Sequence, residues 1–98
     1  MEFVRENPIK VRFTIPDRPT VRQQMAYYSE VTGTIRSVHI ERLWLGTKAL
    51  IQEWECELFN HDVDLDKVDD PRIVDVMIWA AISVRDHVNK MSEIPKNS

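Results

Sequence analysis

Asp62, Asp64 and Asp66 stand at alternate positions, the spacing with which carboxylates open the calcium loop of an EF-hand. That loop also needs glycine at its sixth position and a bidentate glutamate at its twelfth. Counted from Asp62, those positions hold Lys67 and Ile73. The ligand set is incomplete, so the stretch reads as a solvated acidic loop that binds any cation weakly. His39, His61, His87 and Cys56 show none of the paired spacings of structural zinc. Cys56 lies between Glu55 and Glu57, whose negative charge opposes the thiolate a nucleophile needs, and a structural cysteine is expected. His61-Asp62 resembles a fragment of a metal-hydrolase dyad without its further ligands. Two glycines in 98 residues leave no phosphate-cradling loop. The expectation is a non-enzymatic protein with no catalytic residues, cofactor or metal.

Charge is unevenly spread. Residues 1–22 carry five basic and three acidic side chains, whereas residues 53–75 carry two basic and nine acidic, within a formal net charge of -3. Arg5, Lys10, Arg12, Arg18 and Arg22 are too few against that acidity to predict nucleic-acid binding. The asymmetry suits protein association better, since a basic end on one subunit can meet an acidic loop on another. The lone cysteine and the absence of a secretory pattern in Met1-Glu2-Phe3-Val4-Arg5 predict a reducing, intracellular setting. The longest nearly apolar run, Ile73 to Val84, would rise roughly 18 Å as a helix against roughly 30 Å of bilayer core. A soluble protein without membrane contact is expected.

The length is that of one domain with one core. Ile9-Lys10-Val11-Arg12-Phe13-Thr14-Ile15 alternates apolar and polar residues, which predicts a half-buried strand over 9–15. Thr20-Val21-Arg22-Gln23 fits a capping box and starts a first helix, 20–32, with Val21, Met25, Tyr28 and Val31 or Thr32 inward and Gly33 as its stop. Ile40, Leu43, Trp44, Thr47, Leu50, Ile51, Trp54 and Leu58 recur at helical spacing and predict a second helix over 37–59. Gly46 inside it costs about 1 kcal/mol of propensity and marks close packing. Asp70-Pro71 supplies a cap and a first-turn proline for a third helix, 71–91. The fold class is mainly α with a short N-terminal β element: a strand arm over 1–19, a helical core over 20–92 and a flexible tail over 93–98.

One strand cannot satisfy its own hydrogen bonds. Its partner is the short Phe3-Val4 segment, the same strand of another subunit, or an extended segment of a different protein. The third helix has one apolar face of Ile73, Met77, Ala80, Ala81, Val84, Val88 and Met91. Val74, Ile78 and Ile82 form a second apolar line with Trp79 beside it, as in a helix that presents a second face to a partner. The expected partner-binding residues are Val11, Phe13, Tyr27, Val74, Ile78, Trp79 and Ile82.

Several segments carry a resemblance. They are Phe13-Thr14-Ile15-Pro16-Asp17-Arg18-Pro19-Thr20-Val21-Arg22-Gln23-Gln24, Trp44 with Lys48-Ala49-Leu50-Ile51, Trp54-Glu55-Cys56, Asp70-Pro71, and Ile78-Trp79-Ala80. Together they resemble small tail-morphogenesis proteins of long-tailed bacteriophages, most of all the tail assembly chaperones. The resemblance implies a mostly helical viral protein of the host cytoplasm that forms homo-oligomers. It also implies a protein partner, the tape measure protein or another tail protein, shielded while the tail tube polymerises. The alternative is a small phage-encoded regulator or inhibitor that docks on a host protein.

Overall fold

The alternation around Phe13 builds the centre of a sheet. In the computed structural model, which describes residues 1–31 and 39–91, β1 (Glu2–Arg5), β2 (Val11–Thr14) and β3 (Glu53–Cys56) form an antiparallel sheet in the order β1-β2-β3. Phe3 pairs with Phe13, which pairs in turn with Trp54. This row faces inward, with ring centroids 4.9 Å apart for Phe3–Phe13 and 5.6 Å for Phe13–Trp54. The opposite face carries Arg12 among Glu2 at 2.7 Å, Glu55 at 3.3 Å and Glu53 at 3.5 Å. The hydrogen bond from Arg12 to Glu2 comes first among the causes that raise the guanidinium pKa.

Among the described residues there are three helices: α1 (Val21–Val31), α2 (Ile40–Leu50) and α3 (Pro71–Met91). The capping box forms as the sequence predicts, the Thr20 hydroxyl accepting from the Gln23 N–H at 3.2 Å and the Gln23 carboxamide accepting from the Thr20 N–H at 2.8 Å. Asp70 caps α3 by accepting from the Arg72 N–H at 3.0 Å. The Arg72 guanidinium holds the Asp70 carboxyl below the usual carboxylate range. The inward stripe of α3 from Ile73 to Val88 is buried as expected, with Val76 added. This helix lies on the sheet, with Trp79 edge-on to Phe13 at 5.6 Å and His87 edge-on to Phe3 at 6.2 Å.

Three expectations are corrected. The second helix stops at Leu50 rather than running over 37–59, because Ile51 turns extended and the Gln52 N–H bonds the Thr14 carbonyl at 2.8 Å. Residues 53–56 then enter the sheet. Second, of the three partners open to β2, the Phe3-Val4 segment is the one it takes, as β1, and β3, which the sequence expectation lacks, pairs on its other side, so it needs no strand from another subunit or protein. Third, α1 turns a different face inward, although Val31 still packs against the core. Tyr27 is buried, while Val21, Met25 and Tyr28 face solvent. The stop at Gly33, the start near Ser37 and the tail 93–98 lie outside the described residues.

Gly46 explains how α1 meets α2. A Cβ built there would lie 2.9 Å from Val31 Cγ1 and 3.0 Å from Tyr27 Cδ2. Both neighbours are stiff, one a β-branched side chain and the other a buried ring. Gly46→Ala is therefore expected to lose about 1 kcal/mol of stability, since overpacking of about 1–3 kcal/mol outweighs a propensity gain of about 1 kcal/mol. Urea unfolding followed by circular dichroism measures it, and a stabilised variant would refute this packing.

Candidate functional site

The residues that first suggest chemistry do not converge. His87 rests against Phe3 on one side of β2, and His61 rests near Trp54 on the other, with centroids 6.0 Å apart. Cys56 is half-buried on β3 and His39 is exposed before α2. Among the described residues no group of three or more His, Cys, Asp or Glu side chains could hold a metal ion. No described helix is long and apolar enough to cross a membrane. The acidic loop is stabilised from within, by the Asp64 carboxylate accepting from the Asp66 N–H at 3.0 Å and by the Asp64 carbonyl accepting from the Lys67 N–H at 3.0 Å.

The expected partner-binding residues fall into two groups. Val11 and Phe13 are fully buried and Tyr27 nearly so, which removes them from any surface contact in the folded protein. The reason for the first two is that β1, β3 and α3 close over them. For Tyr27 it is the rotation of α1, which exposes the adjacent Tyr28 instead. Trp79 is half-buried against the core, its ring edge-on to Phe13 and covered by the Arg5 guanidinium 5.3 Å from the centroid. Arg5 is held there by Asp75 at 2.6 Å. Ile78 and Ile82 are half-buried, and Val74 alone of the seven is clearly exposed, at 51 %.

Val74 belongs to a groove at the foot of α3. The acidic loop runs past the first turns of the helix, and Leu65, Val68, Pro71, Val74 and Met77 line a hollow of about 370 Å³ between them. Asp69 and Asp70 also line it. Asp70 is committed to Arg72 at 2.6 Å, and Lys67 approaches Asp64 at 3.9 Å. Asp62, Asp66 and Asp69 form no ion pair among the described residues. The site is thus an apolar floor edged by Asp69 and by the Asp70–Arg72 pair, beside an acidic loop. Sequence reading found Val74 and the carboxylates separately; Leu65 and Val68, set among aspartates with no period, gave no sign of sharing a surface with α3.

A second apolar surface runs along α1. Val21 is 72 % exposed and Met25 65 %, with Tyr28 one turn further on. Gln24 and Ser29 complete a shallow hollow there. Arg18 and Arg22, both exposed, flank its N-terminal end and form no ion pair among the described residues. No protein-family model, curated protein or solved structure matches the chain.

Proposed function

We propose that the protein is a non-enzymatic binding module that acts as a phage tail assembly chaperone, holding a helical segment of the tape measure protein or another tail protein. The reading is carried by the groove at the foot of α3, where Val74 and Leu65 remain exposed beside Asp69 and Asp70. An apolar floor retains the nonpolar face of an amphipathic helix, and the rim selects segments whose flanks are rich in lysine and arginine. Unpaired surface carboxylates speed encounter and keep the complex reversible, as a carrier that must release its cargo requires. The tail role itself is supported by the resemblance of the segments over 13–80.

Co-expression with a tape measure protein, followed by purification on a tag carried by this chain, tests the proposal. The wild type is expected to retain the partner. Val74→Asp should reduce recovery at least about tenfold, since it places a charge on the apolar floor at a cost of a few kcal/mol on binding. Its thermal midpoint should stay within a few degrees of wild type, because surface substitutions change stability by about 0.5 kcal/mol or less. Recovery with a host enzyme and with no tail protein would contradict the tail role and favour a regulator.

A further inference from the structure

We infer that the outer edge of β3 takes up an extended segment of another protein as an added strand, one in which lysine or arginine alternates with β-branched residues. This edge shares no lining residue with the groove at the foot of α3, so the inference stands apart from the reading of that groove. Its first basis is an open ladder. β3 ends the sheet, and among the described residues β2 is its one strand neighbour. The Ile15 N–H and C=O both bond Met1 on the β1 side at 3.0 Å, whereas the Thr14 carbonyl accepts from Gln52 on the β3 side at 2.8 Å. Successive residues of an antiparallel strand turn their backbone groups to opposite neighbours, so Arg12 and Thr14 bond towards β3, and their partners Glu55 and Glu53 bond back. The N–H and C=O groups of Trp54 and Cys56 therefore face the open edge. Among the described residues no other segment gives them a backbone hydrogen bond.

The side chains of the edge define what fits it. Glu53 and Glu55 stand on the outer face beside Arg12, but Glu2 holds that guanidinium more closely, at 2.7 Å against 3.5 and 3.3 Å. The Glu53 and Glu55 side chains remain 66 % and 70 % exposed. Lys10 approaches the same face next to Glu55 and Glu57, yet the carboxylates Glu2, Glu53, Glu55 and Glu57 still outnumber the cations Arg12 and Lys10 there. A strand laid along β3 places every second side chain beside Glu53 and Glu55, where lysine or arginine makes a favourable cross-strand pair. Its other side chains turn inward beside Trp54, Cys56 and Leu58, which with Glu57, Phe59 and Asn60 line a hollow of about 300 Å³. β-Branched residues suit that half-covered position.

A second copy does not fit. Two β3 edges joined to each other would set Glu53 and Glu55 of one against the carboxylates of the other, and like charges directly opposite destabilise a pair. Charge on an edge strand is how natural sheets prevent such pairing, and here it leaves the edge open to a strand of opposite sign. The β1 edge is the poorer site. On its inner side Arg5 covers Trp79 at 5.3 Å and is held by Asp75 at 2.6 Å, and on its outer side Glu2 is engaged by Arg12.

Amide hydrogen exchange of the full chain, alone and with synthetic peptides of about eight residues, is the test. In the free protein the Trp54 and Cys56 amides are expected to exchange at least about tenfold faster than that of Glu55, which lies in the ladder to β2. A peptide alternating lysine with valine should bind saturably and slow exchange at Trp54 and Cys56 at least about tenfold. N-methylation at the valines and N-methylation at the lysines block opposite edges of that strand, so one form should lose binding at least about tenfold and the other keep it. A peptide with glutamate in place of lysine should not bind. Glu53→Lys with Glu55→Lys should weaken the lysine peptide at least about tenfold and take up the glutamate peptide instead, with circular dichroism confirming the fold.

Trp54 and Cys56 protected already in the free protein, N-methylated forms that behave alike, or a lysine peptide that leaves exchange at both residues unchanged would overturn the inference. A peptide that protects Val74 and spares β3 would overturn it too, and would leave the groove at the foot of α3 standing. Protection at β3 combined with full partner recovery by Val74→Asp would uphold the edge and refute the groove.

Discussion

Phe13→Ala is expected to destabilise the protein by about 4 kcal/mol, the largest effect of any single truncation considered, since removing a buried aromatic ring costs about 3–5 kcal/mol. Phe13 is fully buried and lies at the middle of the central strand. Three aromatic rings meet it: Phe3 stacked at 4.9 Å, Trp54 tilted at 5.6 Å and Trp79 edge-on at 5.6 Å. Those partners come from β1, β3 and α3, so one ring ties together three elements distant in sequence. These three rings are rigid, so the cavity left there closes only in part. Because domains of this size are stable by about 5–15 kcal/mol, the variant should populate unfolded chains at moderate temperature. Urea titration monitored by tryptophan fluorescence gives the value directly. A loss under about 1 kcal/mol would mean that the sheet and α3 do not close over Phe13.

The second large effect appears at alkaline pH. Burial pushes the Tyr27 hydroxyl up to about 12 from its ordinary 10, with lesser contributions from Tyr28 and Asp86. Since the folded state holds the proton more tightly than the unfolded chain, the stabilisation is complete below pH 10 and is lost as pH rises towards 12. A displacement of this size corresponds to about 2–3 kcal/mol over that window. Tyr27→Phe should remove this component, so the difference in stability between wild type and variant should shift by that amount between the two ends of the window. Near neutral pH the variant should be as stable as wild type or more stable by about 1 kcal/mol, because the buried hydroxyl has no hydrogen-bond partner among the described residues. Parallel pH profiles for the two proteins would show that Tyr27 faces water and that α1 is rotated the other way.

That rotation also shows where the sequence was legible. Local signals read correctly: Thr20 with Gln23 and Asp70 with Pro71 cap helices as their spacing predicts, because caps depend only on residues within one turn. The α3 face from Ile73 to Val88 is equally plain, its period repeating over about four turns. The strand β3 was hidden by an ambiguity of period. Trp54 continues the helical stripe of α2, yet Glu53-Trp54-Glu55-Cys56 also alternates at every second residue. Only the distant Thr14 carbonyl, receiving the Gln52 N–H, decides between the two.

The face of α1 was misread for the opposite reason. Its most regular apolar line, Val21-Met25-Tyr28, was assumed to be core, although an apolar line serves a binding surface as well as an interior. Tyr27 and Tyr28 are about 100° apart on the helix, so that one assumption exchanged their roles. The sequence puts Val11 and Phe13 at a partner surface because it offers their strand no partner beyond the short Phe3-Val4 segment; β3, about forty positions further on, supplies a second one. Of the exposed residues lining the groove at the foot of α3, the sequence points to Val74 alone as a surface contact, since the other wall is a loop without period.

A nuclear magnetic resonance titration of the isotopically labelled chain tests the docking groove most directly. Two peptides of about 20 residues with the same amphipathic apolar pattern serve as probes, one with lysine and arginine flanks and the other with glutamate and aspartate flanks. The account predicts saturable shifts at Leu65, Val68, Val74 and Met77 with the cationic peptide, weakened in Val74→Asp, and none there with the anionic one. Equal shifts with both peptides, or a cationic peptide whose shifts spare those four residues, would contradict it.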